Sequence, residues 1–170
     1  RTTMQHNQKP IKTEWDFSSM YSGINDPKID KDMKKIEKLY ADFAKKYGDK
    51  KFVNNAKLLK QALDDRNRLE LEGSALNGWY LELEKRLDSG NVELKAISQR
   101  ITDKYVGAAK KIIFFNIAIA KIPEAKQKMY LKEKSLAPYK YYLELMFDEG
   151  KYMLSESEEK IIADKYAVAH

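Results

Sequence analysis

Cysteine is absent from this 170-residue chain, and glycine (7 residues) and proline (4 residues) are scarce. Without cysteine the chain can form neither a disulfide nor a thiolate metal site, a composition typical of proteins in a reducing compartment. We therefore expect a cytoplasmic protein. The low glycine and proline contents, together with 34% charged residues, disfavour a β-sandwich and a disordered chain. These numbers favour a soluble, mostly helical protein of about one domain.

Long apolar runs are also missing. The longest is IIFFNIAIA at 112–120, which is too short to cross a bilayer. The first residues, RTTMQHNQKPIKTEWDF, lack the apolar segment of a signal peptide. We predict that the chain has no membrane partner.

Arginine is rare as well, because 27 of the 32 basic residues are lysine and only five are arginine. Proteins that recognise phosphates and bases rely mainly on the planar arginine fork. The lysines here alternate with acids, as in KIDKDMKKIEK, which is typical of a solvated helix face. Despite the net charge of +6, we predict that the chain binds no nucleic acid.

Apolar residues recur every three or four positions along three segments, which predicts three helices. The first helix should have Asp26 as its N-cap and Pro27 at its first position, and should end at Gly48. The second should run from about 55 to 88, and the third from about 94 to 123 as one helix. Their stripes are Ile29, Met33, Ile36, Tyr40, Phe43 and Tyr47; Ala62, Arg66, Leu69, Gly73, Leu76, Tyr80, Leu83 and Leu87; and Leu94, Ser98, Ile101, Tyr105, Ala108, Ile112, Phe115, Ile119 and Ile122.

The remaining segments complete an all-α fold. A short and a medium helix follow residue 123, with Pro138 in the first turn of the medium one, and the Ser155–Glu158 pattern opens a last helix. The segment TEWDFSSMYSG predicts an irregular N-terminal strap, which packs on the helices through apolar residues that include Trp15 and Tyr21. Because short turns join the two segments of about 30 residues, we predict long antiparallel helices in an elongated bundle.

Histidine offers no metal site, because the chain has only His6 and His170, at its two ends. The adjacent carboxylates of Asp64 and Asp65 diverge by about 100° on a helix, as do those of the Glu158 and Glu159 pair, so we interpret them as solvated surface. We predict no catalytic residue, no metal ligand and no cofactor in this chain.

Two further groups have alternative interpretations. The aromatic cluster of Tyr139, Tyr141, Tyr142, Phe147 and Tyr152 could line a peptide groove, but we favour packing between helices. Four small residues lie in the middle of the second predicted helix: Gly73, Ser74, Ala75 and Gly78. They lower helix stability, and they indicate either a close contact with another helix or a kink or hinge.

A resemblance to a known family runs through several segments in order. TEWDFSSMYSGINDPKIDKDMKKIEKLYADFAKKYG resembles the start of oligoendopeptidase F-type zinc metallopeptidases, although Phe17 stands where leucine is usual. LNGWYLELEKRLDSGN and IIFFNIAIAKIPEAKQKMYLKEKSLAPYKYYLELMFDEGKYMLSESEEKII continue it, although Asn116-Ile117-Ala118 departs from the usual pattern after the phenylalanine pair.

The resemblance implies a division of the chain and a function. Residues 1–14 would be a flexible leader, 15–153 an N-terminal helical lobe, and 154–170 the start of a connection to a catalytic lobe that holds zinc and is absent from this chain. The lobe would wall a channel that admits short peptides, and would be inactive alone. The catalytic lobe of the same parent chain would be its partner. The alternative is a stand-alone helical interaction or scaffold module without enzymatic activity.

The last predicted helix suggests one more partner. Its apolar residues Ile161, Ile162, Tyr166 and Val168 form a face that the catalytic lobe would cover. Without that lobe, we expect the chain to self-associate weakly through this face.

Overall fold

The computed structural model describes residues 20–85 and 90–152. Within these ranges it is all-α, without a strand, and so confirms the predicted fold class. Trp15, Phe17 and the helix expected at Ser155 lie outside the described residues. The helices are α1 (Pro27–Tyr47), a 3₁₀ helix (Lys51–Val53), α2 (Ala56–Lys85), α3 (Val92–Lys110), α4 (Ile113–Ala120), α5 (Glu124–Lys132), a second 3₁₀ helix (Lys134–Tyr139) and α6 (Lys140–Gly150).

Helix α1 begins and ends where the sequence predicts. The Asp26 carboxylate accepts the backbone N–H of Lys28 at 2.8 Å, and Pro27 occupies the first turn. The same carboxylate accepts the backbone N–H of Ser22 at 2.8 Å. These two hydrogen bonds lower the pKa of Asp26. The helix ends at Tyr47, with Gly48 as its C-cap.

The three predicted stripes face the interior over the described residues. On α1, Ile29 is fully buried, and so are Ile101 on α3 and Phe115 on α4. The predicted positions Arg66, Tyr80 and Tyr105 are half-buried because each directs a polar group towards a neighbouring helix. The spacing of three and four residues therefore identified the buried side of each helix correctly.

The prediction of one continuous helix from 94 to 123 is wrong. Helix α3 ends at Lys110, and α4 begins at Ile113 after Ile112 adopts φ −113° and ψ 5°. Helix α3 packs against α1 and α2, whereas α4 packs against α6. A break redirects the almost wholly apolar α4 into the space beside α6, where it is buried from more than one side. The stripe continues across the break, so its spacing does not reveal the change of direction.

Pro138 also differs from its predicted place. It lies in the second 3₁₀ helix, and α6 starts two residues later at Lys140. Proline has no backbone N–H to donate to a preceding turn. Here the Lys140 N–H donates to the Ala137 carbonyl oxygen, three residues back, as in a 3₁₀ helix.

Buried side chains form two clusters among the described residues. We call them the α3 cluster, at the α3 end of α1 and α2, and the α4–α6 cluster, at the other end. The α3 cluster comprises Tyr21, Ile29, Met33, Ile36, Leu76, Trp79, Ile97 and Ile101. The α4–α6 cluster comprises Phe43, Tyr47, Phe52, Leu59, Ala62, Leu63, Leu69, Ile112, Phe115, Ala118, Ile119, Ile122, Tyr130, Leu136, Leu143, Met146 and Phe147.

Gly150 marks a close approach of two helix backbones beside the α4–α6 cluster. A Cβ atom built on Gly150 would lie 2.1 Å from the carbonyl oxygen of Ala120, at the end of α4. No side chain fits at that distance, so glycine is required for α6 to finish beside α4.

The close contact predicted for Gly73 is confirmed, because Gly73 is buried and the Tyr105 hydroxyl donates to its carbonyl oxygen at 2.7 Å. A Cβ atom at Gly73 would lie 3.6 Å from the Tyr105 hydroxyl, an ordinary contact, but a longer side chain would collide with that ring. We expect Gly73→Leu to lower the free energy of unfolding by roughly 1–3 kcal/mol. Gly73→Ala, which fits, is the control and should stabilise through helix propensity. Denaturant titrations that gave both variants equal stability would contradict the close contact.

No helix within residues 20–85 and 90–152 combines the length and the apolar character that a membrane span requires.

Candidate functional site

Three consecutive residues of α2, Asp64, Asp65 and Arg66, each bind a different neighbouring element. We call these three residues and their partners the α2 polar bridge. The partners are Lys46 and Tyr47 of α1, Lys60, Arg68 and Glu70 of α2, Asn116 of α4, Tyr139 of the second 3₁₀ helix and Tyr142 of α6.

Asp64 connects α2 to the segment before α6. Its carboxylate accepts hydrogen bonds from the Lys60 ammonium at 2.6 Å and from the Tyr139 hydroxyl at 2.6 Å. The hydrogen bond from Lys60, followed by that from Tyr139, lowers the pKa of Asp64. Burial and the nearby Asp64 carboxylate raise the pKa of Tyr139 to about 12. The hydroxyl of Tyr139 therefore remains a hydrogen-bond donor over the whole neutral range.

Asp65 connects α2 to the end of α1. Its carboxylate accepts a hydrogen bond from the Tyr47 hydroxyl and another, at 2.7 Å, from the Lys46 ammonium. The Arg68 guanidinium lies 3.4 Å from the same carboxylate. Burial works to raise the pKa of Asp65, but hydrogen bonds from Lys46 and Tyr47 outweigh it, so this pKa is lowered. Burial and Asp65 raise the pKa of Tyr47 to about 12.

Arg66 connects α2 to α4 and, through α4, to α6. Its Nη1 donates to the amide oxygen of Asn116 at 3.1 Å, its Nε donates to Glu70 at 3.1 Å, and its guanidinium lies 5.8 Å from the centre of the Phe115 ring. The Tyr142 hydroxyl donates to the same Asn116 oxygen at 2.5 Å. Burial raises the pKa of Tyr142 to about 12. The neutral amide of Asn116 thus joins two helices without adding a charge to this half-buried position.

The interpretation of Asp64 and Asp65 as solvated surface needs correction. Only 18% of the Asp65 side chain and 38% of the Asp64 side chain are exposed, and each carboxylate is held by a lysine and by a tyrosine from a packed neighbouring element. The two carboxylates point to different elements, as the helical geometry predicts, and so they are not placed to share a proton. This arrangement positions helices relative to one another. Lys60 and Asp64 have the spacing of a helical ion pair, but nothing in the sequence pairs Asp64 with Tyr139.

The aromatic cluster predicted to pack between helices does so only in part. Phe147 is buried, and Tyr139 and Tyr142 are half-buried with hydrogen-bonded hydroxyls. Tyr141 and Tyr152 are each 80% exposed, so packing was the wrong prediction for these two. Both lie on the outer side of α6 or just beyond its end.

A groove of about 600 Å³ lies between the end of α4, α5 and α6. Ala120, Ile122 and Phe147 are among its apolar lining, and Glu144 and Lys151 are among its charged lining. Over the part of the chain that the structure describes, no group of three or more His, Cys, Asp and Glu side chains is arranged to hold a metal ion.

The groove, α5, the second 3₁₀ helix and α6 coincide with a recognised family segment. A family model described as oligopeptidase F matches residues 119–170, about the C-terminal third of the chain. Over these residues the chain is similar to the N-terminal domain of oligopeptidase F-type peptidases. No curated protein and no solved structure matches the chain. Two residues of the matched segment, which we call the oligopeptidase F segment, belong to the α2 polar bridge: Tyr139 and Tyr142.

The bridge that holds the oligopeptidase F segment should weaken in acid. The folded-state pKa values of Asp64 and Asp65 are lowered, so their contribution to stability is present above the unfolded value of about 4 and is lost as pH falls through the folded values. We expect the denaturant midpoint to decrease as the pH falls below about 4, and less steeply in Asp65→Asn than in the unmodified chain. Identical slopes for the two proteins would contradict this role of Asp65.

Proposed function

We propose that the described helices form part of the N-terminal lobe of a zinc-dependent oligopeptidase, where the lobe walls a channel and limits the length of the peptides that enter. The observation that carries this proposal is the oligopeptidase F match over residues 119–170. In this proposal the catalytic lobe of the same parent chain is the partner, short peptides are the substrates, and the enzyme is cytoplasmic.

The α2 polar bridge supports the role of a wall. A wall that excludes long peptides must keep its shape when peptides press on it. Tyr139 and Tyr142 fix the matched segment to α2 through Asp64 and, by way of Asn116, through Arg66. Two of these hydrogen bonds, from Tyr139 to Asp64 and from Arg66 to Asn116, involve a charged group, and such bonds are stronger than those between neutral groups.

The residues of this chain do not fit a zinc site. The sequence has no cysteine, and its two histidines are residues 6 and 170. Zinc sites are built mainly from cysteine, histidine and carboxylate ligands, three of them in catalytic sites. In our proposal, the catalytic lobe therefore supplies the zinc ligands, and the described helices contribute shape and not chemistry.

A comparison of two purified proteins tests the proposal. The first is this chain alone, and the second is the full product of the gene that encodes it. We expect the chain alone to retain no stoichiometric zinc after dialysis and to cleave no quenched fluorescent peptide. The full product should cleave short peptides, with a rate that falls sharply above a limiting length. A reading frame that stops after His170 would instead support the stand-alone helical module and overturn the proposal.

A pair of variants of the full product tests the wall itself. Tyr139→Phe removes one hydroxyl that joins the matched segment to α2, and we expect it to raise the cleavage rate of peptides just above the length limit. The control is Tyr80→Phe, because the Tyr80 hydroxyl accepts from Thr102 of α3 at 3.0 Å, outside the bridge. The cleavage rates of the shortest peptides should be the same in both variants. An unchanged length limit in Tyr139→Phe would argue against a wall held by the bridge.

A further inference from the structure

The two buried clusters are separated along the length of α1 and α2. Among the described residues, no buried side chain belongs to both clusters. The half-buried Tyr40 of α1 packs against both. We call the layer around Tyr40 the waist, and define it by Tyr40, Gly73, Tyr105 and Ala108.

The waist contains little buried apolar side-chain area that could connect the two clusters. Helix α2 contributes Gly73, which has no side chain, and α3 contributes Ala108, which is 2% exposed but lies in neither cluster. The apolar contact that makes folding cooperative depends on buried side-chain area. At this layer α2 supplies no side chain, and α3 supplies only the small side chain of Ala108 and the half-buried ring of Tyr105.

Polar contacts instead cross between the helices near the waist. The Tyr105 hydroxyl donates to the Gly73 carbonyl oxygen at 2.7 Å, and Lys35 pairs with Glu72 at 3.2 Å. Lys104 of α3 pairs with Glu37 of α1 at 3.0 Å. Exposed ion pairs couple their elements weakly. They do not replace a continuous apolar core.

Two features close to this layer also lower helix stability. Helix α3 ends at Lys110 and α4 begins at Ile113, so the chain has a non-helical joint on the α3 side. In α2, Gly73 is followed by Ser74, whose hydroxyl donates to the Leu71 carbonyl oxygen at 2.7 Å. Glycine and a serine bonded in this way both lower the local stability of a helix.

From this layer we infer that the bundle consists of two cooperative units that open separately. One unit is α3 with the α3 cluster, and the other is α4, α5 and α6 with the α4–α6 cluster. Opening of the first releases α3 from α1 and α2 at the joint between Lys110 and Ile113, while the oligopeptidase F segment stays packed. This inference concerns the conformational behaviour of the fold and does not depend on the proposed peptidase role.

Hydrogen exchange measured by mass spectrometry tests the inference on two matched variants of the whole chain. Ile101 and Leu143 are both fully buried, one in each cluster. We expect Ile101→Ala to speed exchange in residues 92–110 by about tenfold or more, with less than a twofold change in residues 113–120 and 140–150. Leu143→Ala should do the reverse. Equal acceleration of both regions by either variant would overturn the inference, because it would show one cooperative unit.

The unmodified chain provides a second measurement in case an alanine variant does not fold. At low denaturant concentrations, amides of 92–110 should open with one common free energy, and those of 113–120 and 140–150 with a different one. A single opening free energy shared by both regions would overturn the inference.

Discussion

Phe115→Ala is expected to lower the free energy of unfolding by about 3–5 kcal/mol. Phe115 is fully buried at the centre of the α4–α6 cluster. Its ring stacks on Phe52 at 4.6 Å between centroids and meets the tilted ring of Phe43 at 5.2 Å. The substitution would leave a cavity that neighbours from three elements line, and it would also remove the ring beneath the Arg66 guanidinium.

The neighbouring residue Phe114 is the control for this prediction. Phe114 is only partly buried and packs at the edge of the same cluster. Phe114→Ala should therefore lower the free energy of unfolding by a clearly smaller amount. Denaturant titrations followed by far-ultraviolet ellipticity compare the two variants. Equal losses would mean that the structure assigns the wrong member of the pair to the interior.

Gly150→Ala is expected to destabilise the chain by about 3 kcal/mol, at the upper end for overpacking substitutions. The added Cβ atom would lie 2.1 Å from the Ala120 carbonyl oxygen. A backbone oxygen cannot rotate aside as a side chain can, so the end of α6 would have to move away from α4. The displacement would also disturb the lining of the nearby groove.

A second glycine separates this steric effect from helix propensity. Gly107 is exposed in α3, and a Cβ atom there would meet nothing within 4 Å. Gly107→Ala should therefore stabilise the chain by about 1 kcal/mol. Thermal unfolding should shift the melting temperatures of the two variants in opposite directions. An upward shift in Gly150→Ala would contradict the close approach of α6 and α4.

Local features of the fold could be predicted from the sequence because local physics determines them. The cap at Asp26 and the proline at Pro27 set the start of α1, and the helical spacing identified the buried sides of α1 to α4. The carboxylates of Asp64 and Asp65 diverge, as adjacent positions on a helix require. Each of these statements depends on residues a few positions apart.

Features that depend on distant residues could not be predicted. The break at Ile112 keeps the spacing of the stripe and changes only the direction of the chain. Gly150 closes against Ala120, and Tyr139 reaches Asp64, across separations that no local pattern encodes. The oligopeptidase F match covers residues 119–170, so the resemblance of the earlier segments stays a prediction.

Tyrosine outnumbers phenylalanine in this chain, 11 to 6, and the α2 polar bridge shows what the additional oxygen atoms accomplish. Apolar contacts are non-directional, so a phenylalanine ring would be buried almost equally well if one helix slid along another. A hydroxyl meets its acceptor at a single axial offset. A slip of one turn, about 5.4 Å, would separate Tyr47 from Asp65 and Tyr142 from Asn116 beyond hydrogen-bonding distance. These tyrosines therefore encode the lengthwise register of α1 along α2 and of α6 along α4, with the same rings that fill the spaces between the helices.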